Sequence, residues 1–352
     1  VREAGESETG GGVAVSAADA GVVRGGPKTP VHATPSRPQA SVRRTTSIDS
    51  ARPDGWAGSV LVTARARDLR TPRDGETVGR DGVAFRARLS AQRVLEAIEH
   101  PDADLARLIG ASVAGGFRAR ALGLFPEEAA RGSLLNLLLD DLPGASLVAG
   151  YAMQRDPAWP AHRVALEHVA GMDDLCAGWA REATILQVVR AEAVIPVPTT
   201  APVAPPSDDD PLAWHALDEL PVGGMRRARR LDVVADDPTH ETLRFDVHFR
   251  DSYRDANEGE GAVHEYVVHG RFAPRTRIIV ALEAAAPVLP WTECPRALGS
   301  ASRLVGTTTD DLRARVRADF TGTSTCTHLN DVLRSLADLP VLAAALRDDP
   351  SG

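Results

Sequence analysis

Apolar positions in this chain recur with two different periods, each appearing twice. Val60, Val62, Ala64 and Ala66 alternate with polar neighbours, and so do Leu243, Phe245, Val247 and Phe249. That is the period of a strand with one buried face. A second pair of strands is predicted at Val83, Phe85, Ala87 and Leu89 and at Tyr266, Val268, Gly270 and Phe272. The period then lengthens. Phe117, Ala121 and Phe125 recur four residues apart, as do Leu312, Val316 and Phe320, which predicts an amphipathic helix in each place. Last come Leu135, Leu138, Leu139 and Leu142, matched by Leu329, Val332, Leu333 and Leu336. Ser133 and Thr327 precede these runs, and their hydroxyls suit a helix N-cap.

The two sets read as one unit written twice. A single ungapped spacing of 183 residues relates Asp68 to Asp251 and carries both strand patterns, and a spacing of 194 relates "GSLLNLLLDDL" to "CTHLNDVLRSL". The expected fold class is α+β, with two tandem diverged repeats, each of antiparallel strands followed by two helices, packed as a pseudo-dimer. Residues 1–40, rich in Gly, Ala, Ser and Pro without an apolar period, are expected to be a disordered tail. The N-terminal copy spans 41–193 and includes an extra helix in "DLCAGWAREATILQVVRAEAVI", with Cys176, Trp179, Ile185 and Val188 as its apolar positions. The proline-rich stretch 194–211 reads as a linker, and the C-terminal copy spans 212–348.

Composition narrows the function classes. With 40 basic against 48 acidic residues the net charge is −8, which argues against a nucleic-acid or anionic-membrane partner. No run approaches the length of a membrane span, and three scattered cysteines make no disulfide framework, so the expectation is a soluble cytoplasmic protein. A small-molecule ligand is the expected partner, and nothing in the pattern sets an oligomeric state. Arginine pairs at 43–44 and within 226–230 fall at equivalent places in both copies, which points to a shared structural role such as solvated strand entry.

Candidate chemistry is confined to the second copy. Cys326, Thr327 and His328 stand where the first copy has Gly132, Ser133 and Leu134, so folding of the unit does not require the Cys and His. Cys326 lies beside a helix start, where free N–H groups favour a thiolate. His264 shares strand parity with Tyr266 and should face the core, and its counterpart is Asp81. One reading makes Cys326 a nucleophile or acid/base thiol, with His328 or His264 moving its proton and Asp251 orienting the histidine, for acyl transfer or carbon–carbon lyase work. A second makes Cys294, Cys326, His328 and His264 a Cys2His2 zinc site, although the spacings are not those of a finger. A third makes Cys294 and Cys326 small core residues, as expected for Cys176, His264 a satisfied core histidine and His328 a surface residue in a helix's first turn. "HEYVVH" is no zincin motif, because its histidines are five apart in an alternating segment.

In order along the chain, "FRD" (249–251), "VHEY" (263–266), "ECP" (293–295), "RLVG" (303–306), "VRADFTG" (316–322) and "CTHLND" (326–331) resemble the bacterial domain-of-unknown-function family DUF2889. The resemblance covers about 226–340 well and 43–150 weakly, through the repeat. Members commonly have Gly where this chain has Thr325. The resemblance implies homology and no established activity. The leading expectation is therefore a small-molecule enzyme using Cys326 and His328. Its rival is a non-catalytic ligand-binding or regulatory protein with a groove between the repeats, including the structural zinc alternative.

Overall fold

A computed structural model describes residues 25–73, 76–101, 104–155, 171–192, 196–204, 210–237, 239 and 241–347. The predicted alternation becomes antiparallel strands. β1 (Ser41–Ala51), β2 (Val60–Thr71), β3 (Val78–Leu89) and β4 (Leu95–Glu99) form one run, and β6 (Met225–Val234), β7 (Leu243–Asp255), β8 (Gly259–Ala273) and β9 (Ile278–Val288) another. All belong to one sheet in the order β4-β3-β2-β1-β6-β7-β8, with β9 and the two-residue β5 (Ala201–Pro202) both pairing with β8. β1 and β6 pair antiparallel from Ser41 opposite Val234 to Ser50 opposite Met225, so the two halves share a hydrogen-bonded seam.

Helices cover one face of each half. They are α1 (Phe117–Leu124), α2 (Pro126–Ala130), α3 (Leu134–Val148), α4 (Gly150–Arg155), α5 (Thr184–Glu192), α6 (Leu312–Asp319), α7 (Thr327–Ser335) and α8 (Leu339–Arg347). Every residue that the four-residue and seven-residue patterns placed in α1, α3, α6 and α7 or just after them is buried. One apolar cluster joins β2–β4 to α1 and α3, and another joins β6–β9 to α5–α8. Such burial contributes about 25 cal/mol for each Å² of apolar surface removed from water. Periodicity thus fixed which face of each element is inside.

Four local expectations change. The arginine pairs are not at solvated strand entries: Arg43, Arg44, Arg227 and Arg229 are buried along the seam. Alternation sends them to both faces. Arg44, Arg227 and Arg229 meet Asp338, Asp331 and Asp141 below the helices, while Arg43 and Arg226 meet Asp232 and Asp49 on the other face. A charge pattern that looks like surface can be interior when every guanidinium finds a carboxylate.

Residues 25–40, expected to belong to a disordered tail, lie against the sheet. Lys28 bridges to Val288, the Val31 N–H donates to Glu265, and Arg37 pairs with Asp210. Residues 1–24 of that expected tail lie outside the described residues, as do 194–195 and 205–209 of the expected linker and residue 348. The expected helix around 174–195 splits into a 3-10 turn at Ala177–Trp179 and α5, whose buried residues are Ile185, Leu186 and Val189, with Val188 only partly buried. Residues 193–195 of it lie outside the described residues.

The fourth change concerns caps. Ser133 is the N-cap of α3, its Oγ accepting from the Asn136 N–H at 3.1 Å. At α7, however, Thr327 is already helical and Cys326 holds the cap position in extended conformation, φ −139°. The opposite face of the seam is closed by the segment around Trp214 and His215. The His215 ring bridges Thr45 Oγ1 at 2.9 Å and Ser47 Oγ at 2.8 Å, and burial, then nearby Arg67, lowers its pKa to about 3.

Candidate functional site

The chemistry predicted for the second copy assembles where β7, β8 and the start of α7 meet. Asp251 and His264 stand directly opposite each other on β7 and β8, and a bulge follows immediately at Ser252. Bulges re-aim side chains and recur beside functional sites. The first turn of α7 brings Cys326 and His328 over this pair. His264 and His328 stack, with ring centroids 3.7 Å apart and planes 19° from parallel.

Both histidines aim a nitrogen at one oxygen. His264 Nδ1 lies 3.4 Å, and His328 Nε2 3.9 Å, from Asp251 Oδ2. The other nitrogen of His328, Nδ1, lies 3.8 Å from Cys326 Sγ, and the Tyr266 hydroxyl donates to that sulfur at 3.1 Å. All four residues of the catalytic expectation, Cys326, His328, His264 and Asp251, are therefore within one cluster. Tyr266, read from sequence only as an apolar strand position, joins them through its hydroxyl.

Asp251 is anchored from below. Arg227 Nε and Nη2 donate to its two oxygens at 2.8 and 3.0 Å, and Nη1 reaches Asp331 Oδ2 at 2.6 Å. Gly144 of α3 packs on this pair, and any side chain there would collide with the Arg227 guanidinium and the Asp331 carboxylate. A bidentate buried pair of this kind is geometrically strict, and removing one partner strands the other charge. Arg227 also lies over the Phe249 ring, 4.9 Å from its centroid.

The electrostatics follow from burial and these neighbours. Burial alone would raise the Asp251 carboxyl, but the Arg227 charge, with the nearby His264 ring and the bonds from Arg227, outweighs it and holds the group well below the usual carboxylate range. Burial, then the adjacent His264, lowers the His328 pKa to about 3, against a smaller opposing pull from Asp251. His328 is therefore a neutral imidazole at pH 7. Burial pushes the Cys326 thiol up, and the bonds from Tyr266 and the Leu329 and His328 N–H groups offset this only in part. The thiolate expected from the helix start is not favoured, because Cys326 is only 4% exposed and desolvation outweighs the helix terminus.

The proposed zinc ligands do not all converge. Among the described residues, Asp251, His264 and His328 have ligand atoms within 4.8 Å of one another, and neither Cys294 nor Cys326 belongs to that group. Cys294 begins a 3-10 segment and packs in the apolar cluster, close over Gly178, with burial first raising its pKa. Cys176 is likewise buried and its pKa is raised, first by burial, to about 12. His269, the far histidine of "HEYVVH", is exposed on the opposite face from His264.

The architecture is that of an α+β protein built on a large antiparallel sheet, with no described helix long and apolar enough to cross a membrane. Within it, residues 225–342 match the model of a family described as protein of unknown function, DUF2889. The match opens at the first residue of β6 and contains Arg227, Asp251, His264, Tyr266, Cys326, His328 and Asp331. No curated protein and no solved structure matches the chain.

Proposed function

We propose that the chain is a duplicated α+β unit whose C-terminal copy is a small-molecule enzyme, with His328 as its proton-handling group. The seam register supports the duplication. Arg43 lies opposite Asp232 and Arg226 opposite Asp49, while Thr46 faces Arg229, the arrangement two copies related by a two-fold axis and a spacing of 183 residues require.

The observation that carries the catalytic reading is the placement of His328. One ring nitrogen lies near the Cys326 thiol, the other near the Asp251 carboxylate, and the ring borders an open cavity. This is the order of a triad, nucleophile or acid to histidine to carboxylate, with separations that a bound substrate can shorten. Because imidazole, thiol and the Tyr266 hydroxyl are all neutral at pH 7, the site is suited to donating protons to, or hydrogen-bonding, an oxygen that gains negative charge. A neutral imidazole with a lowered pKa polarises a carbonyl in this way in triosephosphate isomerase, a known precedent. Reactions at a carbonyl group, acyl transfer and carbon–carbon cleavage among them, need such a donor.

The test is turnover in D2O of pooled small oxo acids and esters, followed by proton NMR for wild type and His328→Gln. Exchange or turnover by wild type that falls by about a hundredfold or more in the variant is the expected result. Identical spectra from the two proteins would favour the non-catalytic ligand-binding alternative.

A second reading has its own observation, the three ligand atoms within 4.8 Å. Two imidazoles and a carboxylate are a common donor set for zinc and other divalent ions. Against it stands Arg227, whose guanidinium already occupies both Asp251 oxygens. Elemental analysis of purified protein and of His264→Ala decides it: near-stoichiometric metal lost in the variant would replace the proton-transfer reading with a metal site.

A further inference from the structure

The cavity that His328 borders has a volume of about 360 Å³ and lies between the two halves. That is the lower end of the roughly 300–1,000 Å³ typical of small-molecule sites. Its walls are strongly cationic for a protein of net charge −8: Arg93 and Arg118 come from the N-terminal half, Arg317 and Arg334 from the C-terminal half, and Asp331 is the one carboxylate among the lining residues.

The four arginines differ in what already holds them. Arg334 is committed, with Nε 2.8 Å from Asp140 Oδ2 and Nη2 2.5 Å from Asp331 Oδ1. Arg118 is shared more loosely, at 3.2 Å from Asp331 and 3.4 Å from Asp140. Arg93 has only neutral acceptors among the described residues: Ser146 Oγ at 2.6 Å and the Val113 and Pro143 carbonyls at 2.7 and 2.9 Å. These bonds fix its direction and leave its charge uncompensated. Arg317 is exposed at the rim and has no carboxylate partner among the described residues. Along the seam each buried arginine has a carboxylate; Arg93, off the seam, bonds among the described residues only to neutral acceptors, as Arg52 and Arg67 do, but it is the one of these three that lines this cavity.

We infer that this cavity binds the oxyanion group of a small organic substrate, a carboxylate or a phosphate, between Arg93 and Arg317, and so presents the rest of the molecule to His328. The inference rests on the proton-transfer reading of His328 and names the substrate class for it. A guanidinium matches both oxyanions through its planar fork, and an incoming anion supplies the countercharge that Arg93 lacks. Because the two arginines come from different halves, the ligand would join them across the seam.

The experiment uses the full chain and three probes at matched ionic strength: inorganic phosphate, succinate and sodium chloride. Melting temperature and binding heat are measured for wild type, Arg93→Gln, Arg317→Gln and His328→Gln. The expected result is a saturable rise in melting temperature with phosphate, succinate or both, absent with chloride, and an affinity at least tenfold weaker in Arg317→Gln. Arg317 is exposed, so that variant keeps the test valid even where Arg93→Gln fails to fold. A response to one oxyanion alone supports the site and identifies whether substrate carries a phosphate or a carboxylate. His328→Gln should keep the binding, which separates this inference from the catalytic one. No response beyond chloride, or a response unchanged in Arg317→Gln and in folded Arg93→Gln, overturns it.

Discussion

The N-terminal and C-terminal halves hold the same ion pair in different company. Arg44 grips Asp68 with Nε and Nη2 at 2.8 and 2.7 Å, as Arg227 grips Asp251 at 2.8 and 3.0 Å. Each arginine extends its third nitrogen to a buried aspartate, Asp338 or Asp331, at 2.9 and 2.6 Å. Around Asp251 stand His264, His328, Cys326 and Tyr266, whereas the positions related to them by the repeat spacings are Asp81, Leu134, Gly132 and Val83. On the proposed duplication, the pair belongs to the framework and the cluster around Asp251 to one half. That contrast supports the proposal of a site in the C-terminal half.

The most disruptive way to probe this comparison is to remove each arginine. Arg227→Met takes the guanidinium from Asp251, while Asp331 keeps Arg334 and Arg118, and Arg44→Met takes it from Asp68, while Asp338 keeps Arg313. Because Asp251 is fully buried and Asp68 partly exposed, Arg227→Met should cost about 3–5 kcal/mol in urea unfolding and Arg44→Met a smaller share of that. A clear loss in both variants supports a shared framework, and a loss confined to Arg227 would break the equivalence.

A smaller effect should separate the halves by pH. The folded-state pKa of His328 is depressed to about 3, so between there and the unfolded value near 6.5 the unfolded chain binds the extra proton. Stability from a neutral His328 is therefore present above pH 6.5 and is lost as pH falls. Between pH 7 and pH 5 wild type should lose about 2 kcal/mol more than His328→Gln, measured by denaturant midpoints at each pH. Leu134, at the matching place, has nothing to titrate. A variant that loses as much as wild type would mean that His328 is charged in the folded protein.

The smallest contrast lies in the helix caps. Ser133→Ala should cost about 1 kcal/mol, because it removes the bond to Asn136, whereas Thr327→Ala should cost only a few tenths, because Thr327 is not the cap. Thermal melts of the two variants check this, and equal losses would restore Thr327 to the cap.

Side-chain period and cross-copy comparison were enough to read the strand faces, the helix faces and the convergence of Asp251, His264, His328 and Cys326. Each depended on local pattern or on a difference between copies visible at fixed spacing. Burial of the arginines was hidden because their partners are remote: Arg43 meets Asp232, and Arg229 meets Asp141. A signal did exist. The motifs "ARARD" and "VHFRD" end in matching aspartates, and both lie a fixed distance after a matching arginine, Arg44 and Arg227. A charge of each sign kept in register across two copies reads as a pair. The thiolate expectation failed for a different reason, since sequence places Cys326 near a helix terminus but says nothing of the desolvation that outweighs it.

The antiparallel seam between β1 and β6 bears on how such a sheet can be assembled. A polypeptide carrying only the region from Met225 onward would leave the whole length of β6 as an open edge, with ten residues' worth of ladder unanswered. Since the seam register has the symmetry of identical partners, a second molecule of the same half could close that edge, at the expense of making assembly depend on concentration. Joining the halves in one chain makes closure intramolecular, so that the edge is covered whatever the concentration.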